Sequence, residues 1–100
     1  MKYKIFYPTP MDEIDVFNDN IDVCVTLENG KEYTITVATA ENLKELMRKD
    51  GKRFIEPTEP FAIVESITEE NIKALIDKLV QGEKIFLDIY GGDLSGKNIY

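Results

Sequence analysis

A chain of 100 residues, 43% hydrophobic and 31% charged, has room for one domain with a single core that buries roughly 60–70% of its unfolded surface. It contains no histidine and one cysteine, Cys24, which removes the commonest general base, most transition-metal chemistry and any internal disulfide. The formal net charge is −7, and the stretch from Met11 to Glu32 sets Asp12, Glu13, Asp15, Asp19, Asp22, Glu28 and Glu32 against Lys31 alone, a field that repels nucleic acid and anionic lipid and attracts basic partners.

Tyr3, Ile5 and Tyr7 alternate with lysines and predict a strand that Pro8 and Pro10 stop. In the acidic connection that follows, Met11, Ile14 and Phe17 are spaced to touch the core. Ile21, Val23, Val25 and Leu27 alternate with Asp22, Cys24, Thr26 and Glu28, and beyond Asn29 and Gly30 the residues Tyr33, Ile35 and Val37 alternate with threonines. This is a hairpin signal. A two-residue turn at Asn29 and Gly30 would mix polar and apolar residues on each face. A three-residue loop, Glu28 to Gly30, sets Val25 against Tyr33, Val23 against Ile35 and Ile21 against Val37, and burial selects that register. Gly30 is then expected in the left-handed region, where glycine carries no Cβ penalty. Cys24, inside the strand, reads as a small core or interstrand residue.

Two helices are predicted, and they begin alike. Thr39, Glu41, Asn42, Leu43 and Lys44 recur as Thr68, Glu70, Asn71, Ile72 and Lys73, 29 residues later. Each threonine is positioned as an N-cap, with carboxylates in the first turn where the helix dipole favours them. Leu43, Leu46 and Met47 form a short apolar stripe on the first helix; Ile72, Leu75, Ile76, Leu79 and Val80 form a longer one on the second. Gly51 and Gly82 are the stop candidates. Strands are expected at Phe54 to Glu56, Phe61 to Ile67 and Ile85 to Ile89. The segment from Lys31 to Tyr90 thus reads β-α-β-β-α-β, a ferredoxin-like order extended by N-terminal strands. The expected fold is α+β, a mostly antiparallel sheet with two helices on one face, in a single domain over 1–100 whose last ten residues form a flexible glycine-rich tail.

The candidate motifs each fall short of a reaction. Gly91, Gly96 and Lys97 have phosphate-loop spacing, but Asn98 replaces the magnesium-binding hydroxyl and Ile99 and Tyr100 alone follow where the motif needs a helix. Asn18, Asp19, Asn20 and Asp22 offer oxygen ligands, yet the EF-hand glycine and glutamate positions hold Val23 and Asn29; an irregular cation site stays open, with a solvated loop as the default. Asp88 interrupts an apolar strand, and Lys44, Arg48, Lys49, Lys52 and Arg53 suit the negative end of the first helix. No serine, threonine or cysteine has an identifiable partner base. No catalytic residue, metal site or cofactor is assigned. No apolar run approaches the ~20 residues that span a bilayer, and no signal-peptide pattern opens the chain, so the reading is cytoplasmic, with neither a nucleic-acid nor a membrane partner.

In size, acidity, cytoplasmic composition and single-domain α+β plan the chain resembles the immunity proteins that bacteria make against the toxins of competing strains. The resemblance implies a non-enzymatic domain that binds a basic protein, such as a nuclease toxin whose active site attracts phosphate, and occludes that site. Asp12, Glu13, Asp15, Asp19 and Asp22 are the expected contact set. The alternative is a structural or regulatory module that self-associates, as a homodimer, through an exposed strand edge. A third reading, an aspartate enzyme with a bound divalent ion, ranks below both.

Overall fold

The computed structural model describes residues 2–55, 60–81 and 91–93. The strands are β1 (Tyr3–Phe6), β2 (Asn20–Leu27), β3 (Glu32–Thr39), β4 (Phe61–Val64) and β5 (Gly91–Asp93); the helices are α1 (Ala40–Asp50) and α2 (Glu69–Gln81). The fold is α+β. The sheet runs β1-β2-β3-β4, with β5 also beside β3. Among the described residues only β3 and β4 are parallel, joined through α1; the other described pairings are antiparallel.

The β2–β3 hairpin has the register that burial requires: Val25 faces Tyr33, Val23 faces Ile35 and Ile21 faces Val37. Its loop is Glu28 to Gly30, closed by Leu27 N–H to the Lys31 carbonyl at 2.8 Å, with Gly30 at φ 92°. The six paired side chains are buried, and with Ile72, Ile76 and Leu79 of α2, Ala62, Val64 and Ile67 they form the core. Leu43 of α1 is buried outside that cluster.

Both helix starts are capped by threonine. Thr39 Oγ1 accepts from Asn42 N–H at 3.2 Å, and Thr68 Oγ1 from Asn71 N–H at 3.1 Å. At the other end of α1, Gly51 stands at φ 66° and Lys52 N–H closes on the Met47 carbonyl at 2.9 Å, the left-handed stop expected there.

Three expectations are corrected. Met11 and Ile14 pack on the core, but Phe17 is 68% exposed: Asn18 N–H bonds the Asp15 carbonyl and Phe17 N–H the Asp15 carboxylate, a tight turn that rotates the ring outward. Phe54 and Ile55 lie outside any strand, and the exposed Phe54 ring instead lies 5.9 Å from the Lys52 ammonium. Gly91–Asp93, expected to open a flexible tail, pairs with Tyr33 to Ile35 as β5, because the free half of the β3 edge satisfies its backbone. Gly82, the strand at 85–89 with Asp88, and residues 94–100 lie outside the described residues, as does the turn at 56–60 except for Pro60.

Candidate functional site: an acidic loop and an adjoining tyrosine cleft

The acidic connection between β1 and β2 is a tied loop. Glu13 N–H bonds the Pro10 carbonyl at 3.0 Å, closing a single helical turn over Met11–Glu13. Asp19 spends both carboxylate oxygens on the backbone, taking Asp15 N–H at 3.1 Å and Asn20 N–H at 2.8 Å. Farther on, Ile67 N–H donates to the Val16 carbonyl at 2.8 Å, fastening the loop to the approach of α2.

Side-chain amides fasten it to α1 as well. Asn20 donates to Asn42 at 2.7 Å, Asn42 to Asn18 at 3.2 Å, and Asn18 to Glu45 Oε1 at 2.8 Å, while Arg48 holds Oε2 at 3.0 Å. The bonds from Asn18 and Arg48 hold the Glu45 carboxyl below its ordinary range. Of the five carboxylates expected to contact a partner, Asp12, Glu13 and Asp15 are exposed on this loop. Asp19 is turned into its framework. Asp22 is exposed on β2, where its carboxylate accepts from the Thr36 hydroxyl at 3.0 Å.

The Val16–Ile67 tether places the start of α2, with exposed Glu69 and Glu70, next to the loop. Here a cleft of about 890 Å³ opens between β1 and α2, lined by Tyr3, Ile5, Tyr7, Glu69, Glu70, Lys73 and Asp77 with Lys2. Tyr3 and Ile5 alternate along β1 and so share a side, and Tyr7 follows just beyond its end. Glu69, Lys73 and Asp77, four apart, share a helix face. At one end the Tyr3 hydroxyl donates to Asp77, Lys73 approaches Asp77 at 3.5 Å, and its ammonium lies 5.6 Å from the Tyr3 ring centre.

The Tyr3 hydroxyl bond holds Asp77 below its ordinary range, and Tyr3 and Asp77 together raise Lys73. Partial burial, then the bond to Asp77, raises Tyr3; partial burial, then the Glu69 charge, raises Tyr7. Both shifts favour the protonated phenol, which can donate a hydrogen bond into the cleft. None of its helix residues was singled out from sequence as a site, because only the fold sets α2 beside β1. The one available signal was their spacing of four along α2.

Among the described residues no group of three potential ligands could hold a metal ion, and no helix is long and apolar enough to cross a membrane. Comparison with protein-family models, curated proteins and solved structures finds no match for the chain.

Proposed function

We propose that this chain is an acidic protein-binding domain that captures a basic protein through the loop between β1 and β2, in the manner of an immunity protein occluding a nuclease-type toxin, without catalysis or cofactor. The observation that carries the reading is Phe17, 68% exposed on a loop that also presents Asp12, Glu13 and Asp15. An aromatic ring set among charges on a hydrogen-bonded loop has the composition of an interface anchor with a steering rim. The backbone ties at Val16 and Asp19 lower the ordering cost of binding.

The test is a pull-down from the native cell, eluted with rising salt, followed by kinetics with the recovered protein. Phe17→Ala should weaken binding on the order of 30-fold, through faster dissociation. Lysine at positions 12, 13 and 15 should slow association and flatten its salt dependence. Unchanged kinetics in both variants would remove the proposal.

A second reading, self-association through β1, draws on that strand ending the sheet order and on Phe6 being 65% exposed. A mass that rises with concentration in the absence of partner would select it.

A further inference from the structure

The backbone of β1 and the tyrosine cleft face the same opening. Lys2 turns its carbonyl toward β2, accepting from Glu28 N–H at 3.1 Å. Antiparallel pairing alternates, so Tyr3 and Ile5 turn their own N–H and C=O groups to the outer edge, where no described strand meets them. The side chains of the same two residues, with Tyr7, line the cleft, and α2 supplies its wall. A strand edge unpaired among the described residues, beside such a groove, has the geometry that accepts an extended peptide: the main chain pairs with the edge, and alternate side chains enter the groove.

The charges choose the occupant. At the Tyr3 end Lys73 and Asp77 satisfy each other. At the Tyr7 end Glu69 and Glu70 make no ion pair among the described residues. A lysine or arginine can lay its aliphatic stem over the Tyr7 ring and place its cation between those carboxylates. We propose that an extended, lysine- or arginine-bearing segment of a partner protein adds as a strand to the outer edge of β1, pairing with Tyr3 and Ile5 and setting a basic side chain against Glu69 and Glu70. This gives a docking mode to the basic partner proposed above and rests on that reading, at a surface adjoining the loop.

The test uses the full chain, labelled with nitrogen-15, and a blocked heptapeptide of alternating lysine and valine. Saturable shifts of the Tyr3 and Ile5 amides and of the first two turns of α2 are expected. Methylating alternate peptide nitrogens should weaken binding about tenfold, the scale of lost main-chain bonds. Glu69→Gln with Glu70→Gln should weaken it about fivefold, with the melting curve checked for folding. No shift up to about 5 mM peptide, equal binding of the methylated peptide, or concentration-dependent shifts at Tyr3 and Ile5 without peptide would each overturn the proposal; the last would assign the edge to a second copy. The acidic-loop reading is judged separately, by Phe17→Ala against the native partner, so either can fail alone.

Discussion

Tyr3 and Asp77 are 74 residues apart in the chain, yet one hydrogen bond between them pins α2 to the strand at the sheet's edge. That bond is the leading reason Asp77 ionises below its ordinary value of 3.8. A carboxyl depressed in the folded state contributes stability that is complete above its unfolded value and is lost as pH falls through the folded one. Replacing Tyr3 with Phe should therefore raise the Asp77 midpoint toward the ordinary value, as read by carboxyl NMR. The stability gap between the two proteins in urea should narrow as pH drops below about 4. An unmoved midpoint would mean that the phenol is not the cause. No inspection of sequence could pair these residues, since neither stands out in its own segment. The repeated threonine, glutamate and asparagine were legible, because a cap is local chemistry. What the asparagine side chains do was not: Asn71 turns back to Ser66 at 3.0 Å, whereas Asn42 reaches across to Asn18 and Asn20.

Among the elements, the β2–β3 hairpin was the most legible. Its alternation has period two, so a one-residue slip would bury the threonines and expose the valines. Gly30, at φ 92° with open space where a Cβ would stand, is constrained by its backbone alone. Gly30→Ala should cost about 1–2 kcal/mol in urea unfolding, with β2 and β3 still paired; no loss would mean the loop relaxes without strain. Two elements misled for opposite reasons. Phe54 and Ile55 are apolar enough for a strand, but local preference did not prevail there, and the exposed ring meets a lysine instead. Gly91 and Gly92 argue against a strand, and only the distant backbone of β3 supplies one.

For the molecule as a whole, the acidic field is broader than its linear cluster. Contiguity made Asp12, Glu13 and Asp15 legible as a charged region. Glu69 and Glu70 join it through the Val16–Ile67 contact, which exists only in the fold. Like charges so gathered oppose compaction, and mobile ions screen them. Sodium chloride raised from about 10 to about 300 mM should therefore increase the melting temperature. A variant carrying Asp12→Asn, Glu13→Gln and Asp15→Asn should gain less. An equal gain would place the repulsion elsewhere.

The outer edge of β3 is divided: Thr36 to Thr39 pair with β4, and Tyr33 to Ile35 with β5. Synthesis runs from the N-terminus, so the ribosome delivers β3 with β2 already made and β5 still far off. Throughout that interval the Tyr33 to Ile35 backbone stays a half-finished ladder, open to chaperones, proteases and the strands of neighbouring nascent chains. The last described strand therefore acts as the clasp on a sheet assembled mostly before it, and the exposure of the newborn protein is set by how quickly that clasp arrives.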